Sequence, residues 1–580
     1  MEGFELENKL TELQLMDVTN VRQAVWAGLN KLRSEGSSRD GIVRASFSLA
    51  VLAYFYKPGF ETDDLKKSIS KVIKNNDIKE QLTQIFKEQK EEVTEISKAC
   101  SKQEIKAYIA QFSGDYIGWH TLPTPMSICD LAIKILDITD KDVVLDLCSG
   151  INSFGIEVEK SNKPKKIVGV EINTESMFIA LVKNAVLGLN IENIQGNAIS
   201  QDYSNLNATK VFSNFPFGFA RRPIVTEMRE NGRLGKYFIN TKRTASSDWV
   251  FSLAAFLNQA KDGKTLTVMA NSGLINNPDE GIRQYLVESG LVEAVISLPP
   301  RLLTGTNIPI NILVMSNGNE KVKLVDATEI FTEGRRYNTL SSENISEIVK
   351  AYSGKTKNSV LISKEDLAKQ GYVLSPSRYI LREETEIKNA VLLGDLCLSI
   401  SRGAVLRAED LDAKISKVPT KYQYLLLKNI NNGTIDAELP YLEGIEEGQE
   451  HYIISNGDII MSKISPFKVA MAHVPKGQQI MANGNLYLIK VDKKKINPTF
   501  FMLYLQSETG MSELNRLAKG AVMKALSIRD LKDVRIANVP IETQNKIVEE
   551  YEDLRSELLI IEKQKANIEY KMSDLLQEVL

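Results

Sequence analysis

The chain is poor in the residues that build metal and disulfide frameworks, with four cysteines and three histidines in 580 residues. Cys100, Cys129, Cys148 and Cys397 form no C-x-x-C pair, so neither a structural zinc site nor a disulfide framework is expected, and no metal is assigned. An excess of charge of either sign is lacking too. With 72 Lys and Arg against 74 Asp and Glu, the formal net charge is -2. A nucleic-acid partner would therefore need a local basic surface. No apolar run is long enough to span a bilayer, and the acidic start Met1-Glu2-Gly3-Phe4-Glu5 is unlike a signal peptide. These absences predict a cytoplasmic protein with no membrane partner. The remaining composition, 43% hydrophobic and 25% charged, is that of an ordinary globular protein. Its length exceeds what one hydrophobic core serves, so several domains are expected.

Apolar spacing near 3.6 and few Gly or Pro predict a helical domain over residues 1–115. Ile42, Ala45, Ser46, Leu49, Ala50 and Ala53 mark one buried helix face, and Lys66 to Ser101 is charge-rich and helical. From 116 the texture becomes one of short β-rich runs alternating with helices. Val143–Leu147, Lys166–Val170, Lys210–Ser213, Thr265–Met269, Ala294–Leu298 and Ile312–Met315 read as strands. Glu175–Leu187, Asp248–Ala260 and Gly281–Glu288 read as helices between them. This alternation predicts a Rossmann-like α/β domain, 116–385, with a largely parallel sheet covered on both faces. Residues 327–388 read as a polar connector with short helices. An α+β domain over 386–540 follows, with turn signals at Asn431-Asn432-Gly433, Ser455-Asn456-Gly457-Asp458 and Asn483-Gly484-Asn485. Residues 541–580 form one long helix. Its apolar positions Ile547, Tyr551, Leu554, Leu558, Ile561, Ile568, Met572, Leu575 and Val579 trace a coiled-coil seam broken at Lys565.

Asp146-Leu147-Cys148-Ser149-Gly150 ends a strand in an acidic residue and a glycine turn before a helix, an arrangement that suits a nucleoside. Glu171, at the end of the next strand, is placed to accept both ribose hydroxyls, and Asn197 to bond an adenine edge. Each signal alone is also met by a capping residue or a solvated strand end; their order together favours a nucleoside site. Asn152 stands where the usual pattern has a second glycine, and asparagine tolerates the left-handed region better than most residues.

Asn214-Phe215-Pro216-Phe217 follows a strand directly. An exocyclic amine conjugated to a purine ring is a poor nucleophile, and two acceptors must hold its protons while nitrogen becomes more tetrahedral. The Asn214 side-chain carbonyl and the Phe215 backbone carbonyl supply them, Pro216 sets the chain direction, and Phe217 offers a face for an extruded base. A buried aromatic turn capping a strand is the plainer reading; downstream of a nucleoside-type turn in the same sheet, the chemical one is preferred.

With these motifs in this order, the chain resembles the gamma class of amino-methyltransferases, and most of all the modification subunit of Type I restriction-modification systems. Gly118-Trp119-His120-Thr121-Leu122-Pro123-Thr124-Pro125, Ile296-Ser297-Leu298-Pro299 and Leu374-Ser375-Pro376-Ser377-Arg378-Tyr379 carry the likeness across residues 105–385. The resemblance implies S-adenosylmethionine as cofactor, with Thr124 and Pro125 lining its methionine end, and N6 of adenine in double-stranded DNA as target. The family's tetrapeptide is Asn-Pro-Pro-Phe, so Phe215 is a departure at a position where only a backbone carbonyl is needed.

Residues 390–580 resemble half of a Type I specificity subunit through Leu427-Lys428-Asn429-Ile430, Gly457-Asp458-Ile459-Ile460-Met461-Ser462-Lys463, Leu526-Ser527-Ile528-Arg529-Asp530-Leu531 and Pro540-Ile541-Glu542-Thr543-Gln544. This implies one target-recognition domain. A homodimer through the terminal helix would space two of them on a palindromic target, although the helix could also fold back or meet another partner. Lys463, Lys468 and Lys524 are candidates for DNA contact, each also readable as a solvated surface lysine. No nuclease motif or phosphate-binding Gly-rich Lys loop is present, so cleavage or translocation would need a separate subunit. The rival readings are a DNA-binding scaffold with a degraded methyltransferase fold, motivated by Asn152 and Phe215, and an RNA or protein methyltransferase, which the specificity-like half disfavours.

Overall fold

The stripe expected on the helix Arg39–Phe55 is only part of what that helix buries: Val43, Phe47, Ser48, Val51 and Leu52 are buried as well. The reason lies in its neighbours. A computed structural model of the protein describes residues 2–33, 39–113, 123–161, 163–217, 223–230, 232–241, 246–303, 309–380, 387, 389–406, 408–431, 433–518 and 524–577. It begins with α1 (Glu2–Leu15), α2 (Thr19–Arg33), α3 (Arg39–Phe55), α4 (Thr62–Ser70), α5 (Asn76–Glu88), α6 (Lys90–Ala99) and α7 (Lys102–Gln111). Because α3 packs against α2, α5, α6 and α7, it is buried over most of its circumference from Val43 onward rather than on one face. Ser101 and Glu104 close a capping box that starts α7.

These helices do not form a core of their own. Ile151, Phe178, Ile179, Val182, Val186 and Leu187, from the region that follows, belong to the same apolar cluster as Val21, Phe47 and Leu82. Arg44 also pairs with Glu175 at 2.8 Å. The first compact unit accordingly runs from Met1 to Ile380.

Its sheet is built from α8 (Met126–Leu136), β1 (Val143–Leu147), α9 (Ser153–Ser161), β2 (Lys166–Glu171), α10 (Thr174–Leu187), β3 (Ile191–Gln195), β4 (Ala208–Ser213), α11 (Pro223–Glu230), α12 (Asp248–Phe256), β5 (Gln259–Ala270), α13 (Asn271–Ile275), α14 (Glu280–Glu288), β6 (Val292–Ser297), β7 (Ile310–Met315), β8 (Lys321–Asp326), α15 (Ser342–Ser353) and β9 (Ser359–Ser363). The nine strands lie in the order β3-β2-β1-β4-β5-β7-β6-β8-β9. β7 runs antiparallel to β5 and β6, and β9 antiparallel to β8, so the sheet is mixed. The other strands point the same way, and the loops after Leu147, Glu171, Ser213, Ala270, Ser297 and Asp326 all leave one edge.

Two expectations need correcting. The helix expected to reach Ala260 stops at Phe256. Buried Asn258 turns the chain there, its Nδ2 donating to the Ala254 carbonyl at 2.8 Å and its Oδ1 accepting from the Tyr203 amide at 2.8 Å. Residues 327–363, expected as part of a connector, hold α15 and β9 and complete the sheet. Their polar pattern is that of an edge strand and an amphipathic helix, each buried on one side only.

The second unit, Leu381–Leu580, contains two four-stranded sheets. One orders Cys397–Arg402, Leu486–Val491, Ile459–Ser462 and Val469–Met471; the other orders Ile415–Ser416, Tyr441–Leu442, Tyr422–Leu425 and Gln479–Ala482. The turn signals fall between strands, with Gly433 and Gly457 at φ +81 and +86; Asn432 lies outside the described residues. Helix Ile541–Gln577 closes the unit. Tyr551 packs on the unit's core, whereas Leu554, Leu558, Ile561, Ile568 and Met572 are all more than half exposed. The side chain of Leu575, and Val579, lie outside the described residues. Among the described residues no helix is long and apolar enough to cross a membrane, and no group of His, Cys, Asp or Glu is placed to hold a metal ion.

Candidate active site

The loop after β1 folds down onto β2. The Ser149 amide donates to the Val170 carbonyl at 3.0 Å. A Cβ on Gly169 would come within 2.9 Å of both Ser149 Oγ and Asn152 Oδ1, so only glycine lets the loop lie this close. Gly150, at φ +57, directs its amide to Glu171 Oε2 at 2.8 Å, and a Cβ there would meet nothing within 4 Å. The loop therefore presents open space above a buried carboxylate. Glu171 Oε1 accepts from the Asn173 amide at 2.7 Å. Each oxygen of Glu171 holds one backbone N–H and keeps a lone pair for a hydroxyl.

Two buried oxygens of this loop, Asp146 Oδ1 and Ser149 Oγ, have no partner among the described residues. Burial, then the nearby Glu171, push the Asp146 carboxyl well above the usual carboxylate range. Burial raises Glu171 as well, against the pull of the Asn173, Gly150 and Ile172 amides. Adjacent buried carboxyls with unsatisfied acceptors mark a site built to receive donors from a ligand.

Asn152 is not a defect in the glycine pattern. It sits at φ +65. Its Nδ2 donates to Asn184 and Asn193 Oδ1 at 3.2 and 3.1 Å, and its Oδ1 accepts from Asn193 Nδ2 at 3.0 Å. Asn184 Nδ2 reaches Asn193 Oδ1 at 2.7 Å and completes a ring of three amides that ties the loop to α10 and β3. Asn197 spends its side-chain oxygen on the amides of Ile199 and Ser200, at 3.0 and 3.2 Å, which shapes the turn after β3.

Asn214 leaves β4 at the same edge. Its Nδ2 donates to Thr124 Oγ1 at 3.0 Å, which orients the amide with Oδ1 turned away from that bond. Pro125 caps α8, its carbonyl accepting from the Ile128 and Cys129 amides at 3.0 and 3.1 Å. Gly118 to Leu122, the earlier part of that motif, lie outside the described residues. Phe215 is buried and stacks on Phe251 with centroids 4.9 Å apart and planes at 17°. Phe217 meets Phe215 edge-on at 6.2 Å and is half-buried, while Pro216 is exposed.

Residues unflagged by the sequence support this edge. Asp248 Oδ2 accepts from the Ala270 amide at 2.9 Å, and Asp279 Oδ1 from the Ser246 amide at 2.7 Å. Burial pushes these carboxyls up to about 6 and about 7 respectively. The fully buried Arg283 ties four carbonyls together: Tyr372, Gly273, Asn276 and Gly371. Asp279 and Arg283 stand in the polar run 276–284, and Asp248 follows two serines, so their sequence setting is that of solvated residues.

In the second unit the structure brings two of the three candidate lysines together. Ser465 donates to the Lys524 carbonyl at 2.8 Å and Leu526 to the Lys463 carbonyl at 3.0 Å, so 463–465 and 524–526 run side by side. Burial and the neighbouring Arg402 lower the Lys463 ammonium's affinity for its proton. Lys468 is paired through its backbone with Ser462, next to Lys463, the Ser462 amide donating to the Lys468 carbonyl at 2.8 Å, but its ammonium donates to the Ile430 carbonyl at 2.8 Å.

Comparison with known proteins follows these boundaries. Residues 109–388 match the N-6 DNA methylase family, and residues 389–570 match the type I restriction modification DNA specificity domain. The type I restriction enzyme MjaIX methylase subunit of Methanocaldococcus jannaschii is 24% identical over 291 residues, 44% of this chain and 51% of that protein. The type I restriction enzyme MpnII methylase subunit of Mycoplasma pneumoniae is 27% identical over 304 residues, 46% of this chain and 54% of that protein. The matched stretch thus spans about half the length of these relatives. The type IIG restriction endonuclease BpuSI shares the fold at a TM-score of 0.52 and 13% identity, over 91% of this chain and 74% of that one.

Proposed function

Since the chain carries an N-6 DNA methylase domain followed by a type I restriction modification DNA specificity domain, we propose that it is a site-specific DNA methyltransferase. It moves a methyl group from S-adenosylmethionine to N6 of adenine in duplex DNA, as the modification component of a restriction or phage-defence system. One observation carries the chemistry: Asn214 at the end of β4, its amide oriented by Thr124, on the same sheet edge as the unsatisfied Asp146 and Ser149 oxygens and Glu171.

The residues present fit the cofactor. Glu171 would accept the two ribose hydroxyls, the loop Asp146–Gly150 would cradle the nucleoside, Asn197 would offer its amide group to the adenine, and Thr124 and Pro125 would border the methionine end. When bound, the cofactor supplies an electrophilic methyl on sulfonium. The chain's own groups do the rest. Asn214 Oδ1 and the Phe215 carbonyl accept the two amino protons of adenine. Its nitrogen lone pair is thereby drawn out of conjugation and faces the methyl group. With its protons held there, the nitrogen would take the methyl group that the sulfonium supplies, and one amino proton would leave to solvent. Phe217 offers the face on which the extruded base stacks, worth roughly 1–3 kcal/mol.

Asn214→Ala should abolish methyl transfer to duplex DNA and leave DNA binding largely intact; unchanged methylation would overturn the assignment. An inactive scaffold gains no support from Asn152 or Phe215, because the amide ring and the Phe251 stack accommodate both. Calorimetric titration with S-adenosylmethionine separates the two readings.

Residues 389–570 select the target. Lys463 and Lys524, on adjacent segments, are the better-placed DNA contacts, since Lys468 is already engaged by its own chain. The exposed stripe Leu554, Leu558, Ile561 and Ile568 is the dimer seam of two such chains.

A further inference from the structure

The loops after β6 and β8 emerge on the sheet edge that carries Asn214, and they are bolted together. Arg301, after β6, sits at φ +61, a conformation that costs any residue with a Cβ and persists only where its surroundings impose it. Its guanidinium crosses to the second loop: Nη2 lies 3.1 Å from the Gly334 carbonyl, 3.0 Å from that of Arg336 and 3.5 Å from that of Arg335. In return, the Asn338 amide donates to the Arg301 carbonyl at 2.8 Å, and Asn338 Nδ2 to the Pro300 carbonyl at 2.9 Å.

The second loop is a closed hairpin. Thr332 and Thr339 exchange backbone bonds at 2.8 and 3.0 Å, and a Cβ on Gly334 would fall 2.0 Å from the Tyr337 carbonyl. At its tip Arg335, Arg336 and Tyr337 are exposed. Neither Arg335 nor Arg336 makes an ion pair among the described residues. Glu333, before the glycine, is the acidic residue of the tip, and the two arginines with Arg301 leave the turn cationic. The carbonyl oxygens that would repel an anion are those turned onto Arg301. A rigid, strained, two-loop mount for exposed guanidinium groups is more than a solvated turn requires.

We infer that the turn Gly334–Tyr337, braced by Arg301, is a clamp for the phosphodiester backbone of the DNA beside the methylated base. Four strand spacings separate β4 from β8, about 19 Å at 4.8 Å each. Along a duplex that is the rise of between five and six base pairs, so an adenine held at Asn214 and a phosphate held by Arg335 or Arg336 lie on one short stretch of substrate. Guanidinium forks suit phosphate oxygens, and contacts of this kind position the duplex without reading sequence.

The inference rests on the DNA-methyltransferase reading above, and the test separates their failures. The full chain carrying Arg335→Ala and Arg336→Ala together is compared with wild type. The readouts are binding of a fluorescent duplex of mixed sequence across a salt series, methylation of unmodified genomic DNA, and calorimetric binding of S-adenosylmethionine. The slope of log affinity against log salt is expected to fall by about two, one for each lost contact. KM for DNA should rise about tenfold with kcat little changed and cofactor binding unchanged. The Arg335→Lys and Arg336→Lys pair should recover most of the salt slope, because charge is kept. An unaltered salt slope and KM in the alanine pair, with wild type active, would overturn the clamp alone. A wild type that methylates no DNA would overturn both readings.

Discussion

Asn214 Nδ2 donates to Thr124 Oγ1 at 3.0 Å, joining two residues ninety positions apart in the chain. Thr124 precedes α8 and Asn214 ends β4, so the bond fixes the amide from outside its own strand. An amide that donates through nitrogen on one side must offer oxygen on the other, which is what an amino group needs.

Thr124→Val removes the acceptor while keeping the shape. With one neutral hydrogen bond worth about 1 kcal/mol, methyl transfer should slow about fivefold to tenfold at saturating substrates, and Thr124→Ser should restore most of it. Single-turnover methylation rates check this. An equal rate in the valine variant would show that the amide orients without help.

Asn152→Gly brings the loop after β1 to the glycine of the usual pattern and is nevertheless expected to destabilise the protein. Relief of the left-handed conformation is worth about 1 kcal/mol. Asn184 and Asn193 would each lose a partner in a buried setting, at about 1–3 kcal/mol for a stranded polar group. The net loss, about 1–5 kcal/mol, reads out as a lower denaturation midpoint in urea.

Asp279 makes stability depend on pH. Its folded value of about 7 lies above the ordinary one near 4, because burial outweighs the Ser246 amide and the nearby Arg283. The folded state therefore holds this proton more tightly than the unfolded chain does. The stabilisation is complete below about pH 4 and is lost as pH rises through about 7. Asp279→Asn should flatten that part of the profile, so that the drop in melting temperature between pH 5 and pH 8 shrinks. Thermal denaturation of both proteins at the two pH values tests it.

Much of this architecture could be read from the sequence, and what could not has specific causes. The strand at Val143–Leu147 and the Asp146, Glu171 and Asn214 positions were legible, because runs of β-branched residues ending in a polar residue and a turn are local signals. The Thr124–Asn214 bond, the Asn152–Asn184–Asn193 ring and the Arg301 brace were not. Each joins residues that only the sheet order brings together. Residues 327–363 read as a connector because half-buried β9 and α15 carry polar outward faces with the composition of a linker. The burial of α3 on most of its sides is not legible in its spacing, which marks where apolar residues recur and not how many helices surround them.

The terminal helix offers the simplest test of assembly. Leu554, Leu558 and Ile561 changed together to lysine should give a monomer in analytical ultracentrifugation, if the wild-type chain is a dimer through this seam. The single chain should still fold, with an unchanged far-UV circular dichroism spectrum, since the three side chains are more than half exposed in it, while the melting temperature falls by what the dimer contact contributed. A variant that remains dimeric would place the contact elsewhere.

The core that α1 to α7 share with α10 sets a timetable for synthesis. These helices leave the ribosome before α10, and Phe178, Ile179, Val182 and Val186, which close their apolar cluster, are made much later. The leading segment must wait with part of its interior uncovered until β1 and β2 have emerged and α10 has followed. A nascent chain halted near residue 120 should therefore be held by chaperones, and one halted well past residue 190 should be much less so. A gene cut between the helices and the sheet would yield two insoluble products instead of two domains.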